Sequence, residues 1–161
     1  MDTHTSVYWI KHLDFQPHPE GGFYKEVFRS GITVNRGPLL KQACTSIYYL
    51  LEGKDYSGFH RLASDEIWYF HKGTPLCIHV INEAGDYYSY ELSDTNTGNL
   101  SVVIEAGLWF AAEIPLGESF TLVSCAVAPG FEFAEFEMAE VDTMRMLYPQ
   151  HSGLLERLCR K

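Results

Sequence analysis

Between Gly21 and Val127 the chain is a succession of short runs rich in β-branched and aromatic residues, each ended by turn formers. This rhythm constrains the fold more than any other feature. FYKEVFRS, CTSIYYLLEG, DEIWYFHKG, PLCIHVIN and YYSYELS read as strands, and EAGD at 83–86 and SDTNTGN at 93–99 separate them at intervals that suit a sandwich or barrel. Helical periodicity is confined to the ends. Near the start, Ser6 can cap a short helix with Val7, Ile10 and Leu13 on one face and Pro17 and Pro19 stopping it, and SGLLERLCRK repeats the pattern at the finish. The expected fold is all-β, a jelly roll whose two sheets close over each other's faces, with short terminal helices. One domain spans 1–161: a helix and lead-in over 1–20, a β-barrel over 21–137 and a C-terminal segment over 138–161.

Composition agrees. The 161 residues are 46% hydrophobic and 14% aromatic, enough for a sizeable core without a disulfide scaffold. Twelve basic residues in a net charge of -9 leave no basic stripe for a phosphate backbone, so nucleic acid is not an expected partner. Cys44, Cys77, Cys125 and Cys159 form no CxxC pair, which suits reduced thiols in a cytoplasm. The opening MDTHTSVYWIKHLDF lacks a signal-peptide pattern, and no apolar stretch nears ~20 residues, so neither export nor a membrane is expected.

The chemistry concentrates in GFHRLASDEIWYFHKG, residues 58–73. Residues two apart on a strand project to one side, so His60 pairs with Leu62, and Glu66, Trp68 and Phe70 share a face opposite to that of Ile67, Tyr69 and His71. The stretch resembles the first motif of the cupin superfamily, G(x)5HxH(x)3,4E(x)6G. His60, Glu66 and Gly73 stand at the first histidine, the glutamate and the last glycine, while Leu62 replaces the second histidine and the initial glycine is displaced. The second cupin motif places a histidine after a PxGxxH turn. Its best match, Glu105 to Phe110, puts Phe110 at the histidine position. Neither Leu62 nor Phe110 has a lone pair to give, and one histidine with one glutamate falls short of the usual zinc or iron ligand sets. No tightly bound metal and no other cofactor is expected; His60 and Glu66 are the candidate ligands if a divalent ion binds.

A longer resemblance covers most of the chain. HPEGGFYKEVFRS at 18–30, FHRLASDEIWYFHKG at 59–73, GLWFAAEI at 107–114 and SFTLVSCAVAPGFEFAEFE at 119–137 occur in this order and together resemble the Cupin_5 family, which has no settled activity. The resemblance implies a double-stranded β-helix, paired into a homodimer, with a small-molecule pocket at the barrel mouth. It also implies a remote likeness to metal-free sugar-nucleotide epimerases, which pair a histidine base with a tyrosine acid. His60 is the candidate base. Tyr48, Tyr49, Tyr24 and Tyr69 remain open as the acid, and Arg29 and Arg61 are the candidate phosphate clamps.

Three function classes follow: a binding protein for a small polar or sugar-like molecule, a metal-free isomerase or epimerase, and a metal-dependent oxygenase or isomerase. The missing ligands weigh against the third, and the lack of a demonstrable acid–base pair leaves the second behind the first. The expected ligand-binding set is Glu20, Arg29, Tyr48, His60 and Glu66, with Trp68, Phe70, Trp109 and Phe110 as apolar walls. HPEGG is read mainly as a turn, Cys125 as an inert buried thiol, and Phe131, Phe133 and Phe136 as packing.

Overall fold

The computed structural model describes residues 4–161. The chain opens with helix α1 (Ser6–His12) and continues through strands β1 (Gln16–Pro17), β2 (Phe23–Arg29), β3 (Thr33–Arg36), β4 (Leu39–Gln42), β5 (Thr45–Glu52) and β6 (Tyr56–Leu62). β7 (Asp65–Gly73), β8 (Leu76–Ile81), β9 (Tyr87–Leu92), β10 (Ser101–Ile104), β11 (Trp109–Glu113), β12 (Phe120–Ala128) and β13 (Phe136–Met138) follow, and α2 (Val141–Leu147) and α3 (Ser152–Leu158) close the chain. One antiparallel sheet has the order β1-β2-β5-β12-β7-β10 and the other β13-β6-β11-β8-β9, while β3 and β4 form a separate hairpin. The result is a jelly roll.

Alternation decides which side chains meet between the sheets. Tyr49, Leu51, Trp68 and Val123 from the first sheet pack against Ile78, Val80, Phe110 and Ala112 from the second, all buried. On β7, Glu66, Trp68 and Phe70 face inward, and Tyr69 is exposed, as the period of two requires. The outer face of the second sheet is apolar too, because the C-terminal helices cover it: Phe59, Ile81 and Trp109 pack against Met144, Leu155 and Leu158. Of these helices the sequence pattern indicated α3 but not α2.

At the N-terminus Thr5, not Ser6, is the cap, its hydroxyl accepting from the Tyr8 N–H. The helix ends at Leu13, before either proline, and Asp14 then takes a positive φ of 54°. Its buried side is Trp9, Ile10 and Leu13 against Leu50, Phe120 and Leu122, whereas Val7 is exposed.

Candidate functional site

Two inward-facing rows of side chains run across the first sheet at one end of the barrel. Glu66 on β7 is in register with Val127 on β12, which aligns with Thr45 on β5 and Arg29 on β2. The next row is Trp68, Cys125, Ile47 and Glu26. A bulge between Glu26 and Phe28 resets the alternation on β2, so Glu26 and Arg29 both reach the same space. From the second sheet come His60 and Leu62, and the segment after β12 folds Phe131, Phe133 and Phe136 over the opening. These side chains line a cavity of about 240 Å³.

The HPEGG stretch is both a turn and a wall of this cavity. The His18 N–H donates to the Gly22 carbonyl at 2.9 Å and the Gly21 N–H to the His18 carbonyl at 3.0 Å. Gly21 and Gly22 have φ of 107° and 72°, and a Cβ on Gly22 would lie 2.7 Å from the Leu50 carbonyl oxygen, so the diglycine is obligatory. Beyond the last helix, Arg160 donates to the Glu20 carbonyl at 2.9 Å and to Asp55 at 2.6 Å, while Asp55 accepts from the Gly22 N–H at 2.8 Å. The C-terminus thereby fixes the backbone that aims Glu20 inward.

His60 and Glu20 make the central contact. His60 Nδ1 lies 2.7 Å from the Gly58 carbonyl, an acceptor only, so Nδ1 carries a hydrogen and a neutral ring presents a lone pair at Nε2. Glu20 Oε2 is 3.1 Å from that Nε2. Two acceptors do not sit at this distance without a proton between them, so the pair holds one. Burial lowers the His60 pKa to about 4 and raises that of Glu20, which places the proton on the carboxyl side. His18 takes part through its backbone geometry: its Nδ1 accepts from the Glu20 N–H at 3.1 Å, and burial lowers its pKa.

Glu66 is 6% exposed, and its Oε2 is sealed from solvent without a hydrogen-bond partner. Burial is the main cause that raises its pKa to about 8. The Cys125 thiol and Trp68 indole temper the shift, but Trp68 Nε1 is itself without a partner. At neutral pH Glu66 is therefore a carboxylic acid. At the mouth one cation faces two carboxylates: Arg29 meets Glu26 at 2.6 Å and Glu132 at 3.0 Å.

Of the expected binding residues, Glu20, Arg29, His60 and Glu66 line the cavity and the other five do not. Tyr48 points out of the barrel towards His71, because Thr45, Ile47 and Tyr49 take the inner positions of β5. Trp109 lies on the outer face of β11, beneath the C-terminal helices, since adjacent strand residues cannot both face in. Trp68, Phe70 and Phe110 do face in, but they pack in the core behind the floor. Phe70 is four residues beyond Glu66, about 13 Å along the strand. Among the candidate acids, Tyr24 alone lines the cavity; Tyr69 is exposed and the Tyr49 hydroxyl donates to the Gly21 carbonyl. Arg61 stacks over Trp109 outside the barrel and pairs with Glu137, and Arg29 is already held by two carboxylates, so no phosphate clamp is assembled.

The lining residues that sequence reasoning did not assign to a pocket include His18, Glu26, Cys125, Val127 and the three phenylalanines. Cys125 and Val127 were accessible from β12 alternation, whereas the phenylalanines depend on a loop closure that no period encodes. The usual metal-ligand positions fail a fit test. Two are the apolar Leu62 and Phe110, the His60 Nε2 that would face a cation meets Glu20 instead, and among the described residues no group of three or more His, Cys, Asp or Glu side chains is placed to hold a metal.

Comparisons with known proteins agree on ancestry. A family model described as Cupin_5, cupin superfamily (DUF985), matches residues 7–139. A hypothetical protein from Leishmania major is 33% identical, with 98% of this chain and 100% of that one covered and a TM-score of 0.91. A protein of Shewanella oneidensis is 34% identical, with 98% and 99% covered and a TM-score of 0.90. An oxalate decarboxylase of Bacillus subtilis shares the fold at 15% identity and a TM-score of 0.55, over 90% of this chain but 37% of its own. No curated protein matches the sequence. With the family model spanning most of its length and two full-length structural relatives at a third identity, the chain belongs to the Cupin_5 family of the cupin superfamily.

Proposed function

We propose that the protein binds a small polar, sugar-like molecule in the barrel cavity without a metal cofactor. The observation that carries this reading is the cavity itself: about 240 Å³, with His60, Glu20 and Glu66 at the floor and Tyr24, Phe131 and Phe136 around it. That volume equals roughly eight waters, room for a ligand of about a dozen heavy atoms. Buried polar groups without partners are costly, and the Glu66 side chain, which lines the cavity, carries such a group in its Oε2.

A second reading, a metal-free isomerase, has one specific support. The floor holds groups whose proton affinities are driven apart, His60 downward and Glu66 upward, as acid–base pairs require.

Native mass spectrometry tests the binding reading. Protein purified without added ligand is expected to carry a small adduct that is released on denaturation and depleted in His60→Ala. An adduct retained equally by His60→Ala and Glu66→Gln would overturn it.

A further inference from the structure

Glu66, Glu20, Glu26 and Glu132 face the cavity against a single arginine, Arg29, and that arginine is held at the mouth by Glu26 and Glu132. No cation reaches the floor: among the described residues, no Lys or Arg other than Arg29 lines the cavity. Glu66 is the informative member, because its Oε2 is buried and unpartnered. A carboxyl in that position is stable only if protonated or if a counter-charge is brought to it. One wall of the same cavity is aromatic. The Phe136 ring centre lies 5.2 Å from that of His60, tilted against it, and 5.9 and 6.1 Å from those of Phe131 and Phe133, giving π surface in the same cavity as the acid. Acid excess and aromatic surface in one cavity are what organic ammonium ions select.

We infer that the molecule bound in the cavity is an organic cation, an amine or quaternary ammonium compound whose charge replaces the proton of Glu66. This rests on the binding reading above and narrows its ligand class to amino-bearing molecules such as amino sugars. The exchange balances: the cation enters, Glu66 gives up one proton to solvent, and a carboxylate–ammonium pair remains. Glu20 does not compete for this role, because its proton is engaged with His60. Tyr24, His18, Cys125 and, at the mouth, Glu26, Arg29 and Glu132 are the other titratable or charged groups facing the space.

Calorimetry with matched probes tests the inference: glucosamine against glucose and glucuronate, and choline against its uncharged tert-butyl isostere. Choline, whose charge does not titrate, is expected to bind at least about tenfold more tightly than its neutral isostere at pH 8.5, and glucosamine to bind more tightly than glucose at pH 7, where its amine is still mostly protonated. Choline affinity should fall by about tenfold per pH unit below pH 8, where the proton of Glu66 competes, with one proton released on binding. Glu66→Gln should reduce the charge selectivity to about threefold or less, and Phe136→Leu, which keeps apolar bulk, should weaken choline more than its isostere. Neutral or acidic probes binding as tightly as the cations would overturn the cation assignment and leave the binding reading intact. Selectivity unchanged in Glu66→Gln would also overturn it. No binding by any probe would overturn both.

Discussion

Replacing Glu66 by Gln should make the stability of the protein less sensitive to alkaline pH. Glu66 titrates near 4.5 in the unfolded chain and at about 8 in the folded one. Between those values the folded state holds a proton that the unfolded state has lost, so this group's contribution is fully present below pH 4.5 and is lost as pH rises to about 8. His60 acts with the opposite sign. Its pKa falls from 6.5 to about 4, so stability is lost as pH drops through that interval, and the window from pH 6.5 to 8 isolates the carboxyl from it. Across that window the Glu66 contribution falls by about 2 kcal/mol, at 1.36 kcal/mol per pH unit. For a chain of this size that corresponds to roughly 4–8 °C in Tm. Urea denaturation of wild type and Glu66→Gln at pH 6.5, 7.25 and 8 measures it. The amide cannot titrate, so the two curves should converge or cross towards pH 8, with the wild-type slope steeper by about 2 kcal/mol over the window. Parallel curves would refute the claim that Glu66 is a neutral acid in the folded protein.

Arg160→Ala should lower stability by about 2 kcal/mol in the same assay, since it deletes bonds to Asp55 and to the Glu20 carbonyl, and Arg160→Lys should not restore it because an ammonium cannot fork between them. Adduct retention in native mass spectra should fall with it, as Glu20 loses its anchor. Gly22→Ala should cost at least about 2 kcal/mol, from a φ of 72° and the 2.7 Å approach to the Leu50 carbonyl, read as a fall in Tm. Sedimentation should give a homodimer at twice the 18.3 kDa chain mass, through the exposed Val27, Phe28, Ile32, Leu39 and Leu40 around β2 and the β3–β4 hairpin. A monomer at micromolar concentration would remove that expectation.

The jelly roll was legible in the sequence because period-two alternation is local, and β7 shows it: Glu66, Trp68 and Phe70 turn inward and Tyr69 outward. That His60 and Glu66 both face the cavity was legible for the same reason, although the hydrogen-bonded pair expected of them does not form: His60 meets Gly58 and Glu20, and Glu66 Oε2 has no partner. Alternation does not say how deep a residue lies along its strand, which is why Trp68, Phe70 and Phe110 were placed on the cavity wall when they form the core behind it. Nor does it reveal that both faces of a strand are covered. Trp109 and Phe110 are adjacent and both buried, one under the C-terminal helices and one between the sheets. The partnership of Glu20 with His60 was beyond reach, because it depends on a turn pinned by a residue 140 positions away. The bulge that brings Arg29 and Glu26 to one side of β2 likewise has no glycine or proline to announce it.

The most direct measurement of the central claim is the electron density of the cavity in crystals of the protein purified without chelator or added ligand. Continuous density larger than water, contacting the Glu66 carboxyl group and lying against Phe136, is the predicted result. Isolated ordered waters bridging Glu66, or an octahedral or tetrahedral metal bound through His60 Nε2, would contradict it.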